Sequence, residues 1–331
     1  MGLKKNVGIV VIALIAIIVV GTLYVALVLP NIPAPEIQVE ATPDRIEKGK
    51  YLANHVAVCI DCHSSRDWDK YSGPPIPGSE GEGGEKFARD FGLPGIIYVP
   101  NITPFNLRDW SDGEIYRAIT SGVDREDNFI MPVMPYHNYS RMDTEDIFSI
   151  IAYIKTLSEK PKEVPKSEID FPVNIYGNLF TKKPEPAPRP DKQDKVKYGK
   201  YLVNAAGCID CHTPFSEVDM LRVFAFKMSP FEHDAKFSGG MRFESPFGTV
   251  VSANITPDKG TGIGDWSEDF FVQTFKFYEK TYEEVPAAEQ MQSQTIMPWV
   301  MYAGMIEEDL KAIHAYLQSI PAIENEVKKK E

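Results

Sequence analysis

This chain repeats itself, and no other feature constrains its fold as strongly. Gly49-Lys50-Tyr51-Leu52 recurs as Gly199-Lys200-Tyr201-Leu202, and Cys59-Ile60-Asp61-Cys62-His63 recurs as Cys208-Ile209-Asp210-Cys211-His212, 149 residues further on. Asn101-Ile102-Thr103-Pro104 returns as Asn254-Ile255-Thr256-Pro257, and Trp110-Ser111 as Trp266-Ser267. Met134-Pro135 returns as Met297-Pro298, by then offset by 163. Matching landmarks in one order at so wide a spacing mean a duplicated domain, because solenoids repeat every 20–50 residues or so, about a quarter of this spacing. The length of 331 residues agrees, being about two domains of roughly 150 each. Of the 14 residues the second copy gains, ten lie between Asn-Ile-Thr-Pro and Met-Pro, enlarging the stretch around Lys280 to Ser293. Surface insertions cost little stability, so drift explains that stretch more simply than partner docking.

All four cysteines lie in the two short clusters, too few to staple a chain of this length with disulfides. Cys-x-x-Cys-His is the attachment pattern of c-type haem. Two thiols three positions apart at the end of a helix reach the two vinyl groups on one porphyrin edge, and the adjacent histidine sits beneath the iron. A four-cysteine zinc ribbon spaces its pairs about 15–20 residues apart, far from the separation seen here. A thioredoxin-like pair sits in a βαβ setting, which this helical and loop-rich sequence lacks. The expectation is therefore two covalent haems, one on Cys59, Cys62 and His63, the other on Cys208, Cys211 and His212.

A methionine as sixth ligand fills the iron site and raises its potential, whereas an open position admits peroxide or oxygen. The first copy offers Met131, Met134 and Met142, and the second Met297, Met301 and Met305. Only Met134/Met297 and Met142/Met305 align between copies. Met142 and Met305 precede the closing helix, where an apolar staple is expected. Met134 and Met297 are each followed by proline, which stiffens a distal loop, so these two are the expected axial ligands. His55, His137, His233 and His314 have no counterpart in the other copy and read as surface or hydrogen-bonded residues, with His137 the nearest to a ligand. Asn101 and Asn254 read as turn formers. Trp110 and Trp266 read as core aromatics, and Trp299 as a residue that packs against porphyrin.

Helical periodicity runs through both copies. Ile147, Ile150, Ile151 and Ile154 fall on one helix face behind Asp143 or Thr144, and Leu310, Ile313, Leu317 and Ile320 do the same in the second copy. Arg45 to Ala57 and Val196 to Ala206 lead as helices into the cysteine clusters. The Gly- and Pro-rich middles, Gly73 to Gly95 and Ser238 to Gly264, read as loops without strand alternation. The fold class is mostly α.

At the N-terminus, Lys4 and Lys5 precede an uncharged apolar run from Val7 to Leu29. As a helix those residues rise about 34 Å, enough to cross a hydrocarbon core of about 30 Å. The run exceeds the apolar part of a cleaved signal peptide and ends without small residues, so an uncleaved anchor is expected. The lysines place the N-terminus in the cytoplasm and the remainder on the outer, periplasmic face. The expected organisation is a transmembrane anchor over 1–30, a tether over 31–44 that spaces the next domain from the bilayer, and a first domain over 45–157. A Pro-rich extended linker over 158–195 follows, then a second domain over 196–321 and a charged tail over 322–331. The apolar patch Phe171 to Tyr176 in the linker should pack on one domain or across both. A net charge of −12 excludes nucleic acid as a partner, since phosphate binding needs clustered Lys and Arg.

With these residues in place, the chain resembles the multi-haem class I cytochrome c subunits of membrane-bound alcohol and aldehyde dehydrogenases. The resemblance rests on Ala253 to Asp258, Thr261 to Ser267, Met297-Pro298-Trp299 with Met305, and the helix from Glu308 to Leu317. In the first copy it rests on Gly49 to His63, Trp110 to Gly122 and Met134 to Leu157, though Asn101 to Pro104 runs on without the Thr-Gly-Ile-Gly portion. It implies two tandem class I cytochrome c domains with ligand pairs His63/Met134 and His212/Met297. It also implies that first and last helices cross closely in each domain, Gly49 and Tyr51 against Tyr153, and Gly199 and Tyr201 against Tyr316. Those relatives commonly carry three haem domains, whereas this chain has two motifs. The implied function is electron transfer from a membrane dehydrogenase or quinol-oxidising complex to a terminal oxidase or soluble cytochrome, without catalysis by the chain itself. The acidic surface predicts salt-sensitive docking to basic partners. The rival is a dihaem peroxidase, against which both copies supply an aligned Met-Pro and neither a Phe-His-Asp-Gly segment.

Overall fold

The structure is a computed structural model that describes residues 2–215, 234–245, 247–291 and 294–327. His233 lies outside the described residues, as do 292–293 of the enlarged stretch and the last four residues of the charged tail. The chain opens with α1 (Gly2–Val28), of which Asn6–Val28 is long and apolar enough to cross a membrane and is almost entirely unburied. An anchor and a signal sequence both have this character.

Each repeat is built around one close crossing of two helices. In the first, α2 (Pro43–Tyr51) starts at Thr42, whose hydroxyl accepts from the Arg45 N–H at 3.3 Å, with proline in the first turn. It meets α4 (Thr144–Ile154) at Gly49, where an added Cβ would stand 1.8 Å from the Ser149 carbonyl oxygen. In the second repeat α5 (Lys195–Ala205) meets α7 (Glu307–Ser319) at Gly199, again with only 1.8 Å to a carbonyl, that of Ala312. The isoleucine stripe of α4 and the Leu310, Ile313, Leu317 stripe of α7 are buried in one contiguous core drawn from both repeats. Between these helices lie α3 (Asp112–Ser121) and α6 (Glu268–Lys276). The recurring Trp-Ser now has a reason, since Ser111 and Ser267 cap these helices with their hydroxyls.

Gly49 also lies against Tyr153 and Gly199 against Tyr316, and the tyrosines at the crossings join the two repeats as well. Tyr51 donates its hydroxyl to Asp309 of the second repeat at 2.8 Å, and Tyr201 donates to Asp146 of the first at 2.5 Å. The same two hydroxyls accept from the N–H groups of Ile306 and Asp143. These are corresponding positions, so the repeats face each other about an approximate two-fold axis.

Three further differences concern the connections. The loop-rich middles contain short strands paired over two residues: β1 (Lys86–Phe87) pairs with β2 (Gly95–Tyr98), and β4 (Arg242–Phe243) with β5 (Val250–Val251). The linker is not simply extended. Its β3 (Glu168–Ile169) adds to the outer edge of β2, a position compatible with neighbouring prolines, and Val173–Tyr176 forms a helical turn. Its apolar patch packs on α1, with the Tyr176 and Thr22 hydroxyls 2.6 Å apart. Asn178 then donates to the carbonyls of Val25 at 3.0 Å and Leu29 at 2.9 Å. The tether is likewise no free spacer. It lies along the first repeat, with the Val39 N–H on Asp112, Arg117 on the Ile32 carbonyl, and the Pro35 carbonyl pressed onto Gly113.

One subtlety of the duplication is structural. Between Gly-Lys-Tyr-Leu and Cys-Ile-Asp-Cys-His the first copy holds one residue more than the second. The chain absorbs it as a π-helical turn over Leu52–Val56, whereas α5 runs on regularly.

Candidate haem sites

Both cysteine motifs are short helical turns, Cys59–Cys62 and Cys208–His212, entered through a left-handed residue, Val58 at φ 45° and Gly207 at φ 65°. That sharp turn redirects the chain from the crossing helix into the motif. The carbonyl just before it accepts a tyrosine hydroxyl in each repeat, Ala57 from Tyr139 at 2.8 Å and Ala206 from Tyr302 at 2.6 Å. All four cysteines are free. Burial pushes the Cys59, Cys62 and Cys208 thiols up to about 12. Among the described residues no group of three or more His, Cys, Asp or Glu is placed to hold a metal ion together.

The histidines are oriented by the same device twice. His63 Nδ1 lies 2.8 Å from the Pro100 carbonyl oxygen, and His212 Nδ1 lies 2.7 Å from that of Ala253. A carbonyl only accepts, so Nδ1 carries the proton and Nε2 keeps its lone pair, the form that ligates a metal. Burial lowers the pKa of both imidazoles and holds them neutral.

The orienting carbonyl directly precedes each repeated asparagine. Asn101 and Asn254 are buried, and each side-chain carbonyl accepts from the N–H and hydroxyl of the threonine two residues on, at 2.9 and 2.7 Å in both copies. Their amides reach the segment beyond the closing helix, Lys160 and Lys162 in the first repeat and Ile323 in the second. Sequence reasoning placed those residues in linker and tail, and read the asparagines most simply as turn formers.

A pair of glycines completes the frame. Gly83 and Gly239 donate their N–H groups to the carbonyls of His63 and His212 at 2.9 and 2.8 Å. Both have positive φ and press on the peptide before the asparagine, where a Cβ would come within about 2.5 Å of backbone atoms. The signal was available, because Gly83-Gly84-Glu85-Lys86-Phe87 recurs as Gly239-Gly240-Met241-Arg242-Phe243.

The methionine candidates separate by burial. Met142 and Met305 are fully buried core residues, while Met134 and Met297 are partly buried at its edge. Both Met-Pro turns share one shape, with the N–H two residues on returning to the methionine carbonyl at 2.8 Å. Trp299, two residues after Met297, stacks on Tyr278 at 4.9 Å and meets Phe275 at a tilt, with ring centres 5.1 Å apart.

The two turns are held by different contacts, and in each case these come from the opposite repeat. Near Met134, His137 Nε2 lies 2.8 Å from Asp210 of the second cysteine motif, and Asn138 donates to the same carboxylate at 2.5 Å. The counterpart carboxylate, Asp61, instead pairs with Arg66 at 3.2 Å and leaves one oxygen without a partner. Burial pushes it up to about 6 against the pull of Arg66. His55 bonds the Met301 carbonyl at 2.8 Å and His314 contacts the Trp266 carbonyl at 3.0 Å, bearing out their reading as hydrogen-bonded residues.

The enlarged stretch of the second repeat docks on the 67–73 loop of the first. Tyr71 stacks on Tyr278 with ring centres 5.6 Å apart, the Tyr71 N–H donates to Pro286, and Ala288 donates to Asp69. Gln294 donates to the carbonyls of Trp68 and Lys70, both at 2.8 Å. Its docking partner is therefore the other half of its own chain.

No protein-family model matches the chain. It is 27% identical over 306 residues, 85% of its length, to the cytochrome c subunit of the quinone alcohol dehydrogenase of Gluconacetobacter polyoxogenes. It is 28% identical over 312 residues, 88% of its length, to the fructose dehydrogenase cytochrome subunit of Gluconobacter japonicus. A diheme cytochrome c-type protein of Cereibacter sphaeroides is 26% identical over 284 residues, 80% of the chain. These homologues are cytochrome c proteins.

The alignments span 58% and 55% of the two dehydrogenase subunits and 83% of the diheme cytochrome. The donor set fits the prosthetic group that such cytochromes imply. Each motif offers two unpaired thiols at one helical spacing, an imidazole with Nε2 available, and a methionine on a stiffened turn at the edge of the same core.

Proposed function

We propose that this chain is a membrane-anchored dihaem electron carrier made of two class I cytochrome c domains, 45–157 and 196–321. Cys59 and Cys62 attach one haem and Cys208 and Cys211 the other. His63 and His212 are the proximal ligands, and Met134 and Met297 the distal ones. The haems supply a one-electron ferric/ferrous couple, and the chain orients the ligands, excludes water and tunes the potentials. The observation that carries this reading is the duplicated imidazole frame, in which Pro100 and Ala253 fix both rings in the metal-binding tautomer.

In this reading α1 is the anchor and the repeats lie on the outer, periplasmic face, in keeping with Lys4 and Lys5 ahead of the span. Electrons arrive from a membrane dehydrogenase or quinol-oxidising complex and leave to a terminal oxidase or soluble cytochrome. The names of the relatives support a dehydrogenase as donor and do not favour the peroxidase alternative.

A potentiometric titration of the full chain in detergent, followed optically and by EPR, tests this. The expected result is two low-spin haems of methionine type, neither reacting with peroxide. A haem that turns high-spin on partial reduction and consumes peroxide would make the protein an enzyme.

A further inference from the structure

We infer that Ser72, a residue of the first repeat, is a positioning residue for the iron ligand of the second. The inference rests on the reading of Met297 as that ligand. Ser72 is buried, 1% exposed, in the loop that leads away from the first cysteine motif. Its hydroxyl donates to the Met297 carbonyl at 2.6 Å and accepts from the Trp299 N–H at 3.0 Å, so it spans the Met-Pro turn from outside. These are contacts between residues 225 and 227 positions apart. The Ser72 N–H donates to Gln294 Oε1 at 2.7 Å, which ties the chain just ahead of Met297 to the same point.

Ser72 is itself held from the first haem site. Arg66 donates to its carbonyl at 2.8 Å and to that of Gly73 at 2.6 Å, lies over the Trp68 ring at 4.1 Å, and pairs with Asp61 between the first two cysteines. A chain of polar contacts thus runs from Asp61 through Arg66 and Ser72 to Met297. Among the described residues no such hydroxyl spans the first repeat's Met134 turn, and its tie to the other repeat comes from His137 and Asn138 on Asp210.

The backbone of Ser72 supports a placed role. Its φ of 68° lies in the left-handed region, which glycine enters freely and other residues rarely do. A serine here accepts conformational cost while delivering a hydroxyl to a neighbouring repeat. A loop fixed for shape alone would be better made by glycine.

Ser72→Gly separates the two roles, because it relieves the backbone and removes only the hydroxyl. The readout is imidazole binding to the oxidised full-length protein, which competes with methionine for iron, together with the methionine-to-iron charge-transfer absorption. Met134→Ala and Met297→Ala assign each signal to one haem. The expected result is imidazole binding about tenfold tighter at the second haem and unchanged at the first. That factor corresponds to about 1.4 kcal/mol, the scale of one buried hydrogen bond. Unchanged binding at both haems, or equal change at both, would overturn the role of Ser72 while leaving Met297 as ligand. A Met297→Ala protein with an unaltered second haem would remove the ligand itself, and the inference with it.

Discussion

In the first repeat the chain enters its cysteine motif from a π-helical turn through Val58, a β-branched residue in left-handed geometry. In the second it enters from a regular helix through Gly207, which adopts that geometry freely. Beyond this point the two copies converge. Both present His to a carbonyl before a buried asparagine, close the peptide with a positive-φ glycine, and recruit the segment after the last helix. They diverge again at methionine, where among the described residues one uses a carboxylate clamp and the other a hydroxyl and a docked insertion. The comparison teaches that the histidine side is built within each repeat and held constant. The methionine side is built between repeats, and there the copies have been free to differ.

The largest effect belongs to what the copies share most closely. Gly49→Ala or Gly199→Ala drives a methyl group into a carbonyl 1.8 Å away, so the helices must part. Each substitution should cost at or above about 3 kcal/mol in chemical unfolding of the holoprotein. A cost below about 1 kcal/mol would show that the crossing yields.

Next come the proposed ligands. Met134→His and Met297→His should each leave both haems attached and lower one of the two potentials by a few tenths of a volt, a fraction of the roughly 0.8 V that axial ligands span. An unchanged potential removes that methionine from the set.

The motif entry offers a reciprocal test. Val58→Gly should stabilise the protein by about 1 kcal/mol and Gly207→Val should destabilise it by about 1–2 kcal/mol, following the cost of left-handed backbone for a side-chain-bearing residue. Thermal unfolding followed at the haem absorbance reads both, and equal signs would refute the comparison. The smallest change is at the docked insertion. Gln294→Ala removes two donors from the Trp68 and Lys70 carbonyls and should cost about 1 kcal/mol. Proteolysis of the 67–73 loop should then quicken, and an unchanged rate would show that the insertion does not hold it.

Much of this was legible beforehand, for local reasons. Cysteine spacing, the isoleucine stripe of α4 and the apolar first helix each express a rule that acts within a few turns of chain, while the Gly49 and Gly199 crossings were implied by the family resemblance. Even the π-helical turn is written in the sequence, as the slip from an offset of 150 to one of 149. What escaped were contacts made between copies. Nothing local announces that the hydroxyls of Tyr51 and Tyr201 serve Asp309 and Asp146 of the opposite repeat. A duplicated sequence gives every residue two equivalent candidate partners, and only packing chooses. The short strands and the bound tether escaped because two-residue ladders and single backbone contacts leave no periodicity.

The hydrogen bonds at Thr22, Val25 and Leu29 bear on how far this molecule can travel. A globular unit on a loose leash sweeps a hemisphere and can ferry charge between distant stations. Here Tyr176 and Asn178 seize the last turns of α1, and the tether is laid flat against the first repeat. In the proposed reading, with α1 as the anchor, the globular body is bolted to its post at a fixed height and heading. Such a device does not shuttle. It offers a stationary terminal, and whatever exchanges electrons with it has to be mounted alongside or arrive by its own diffusion.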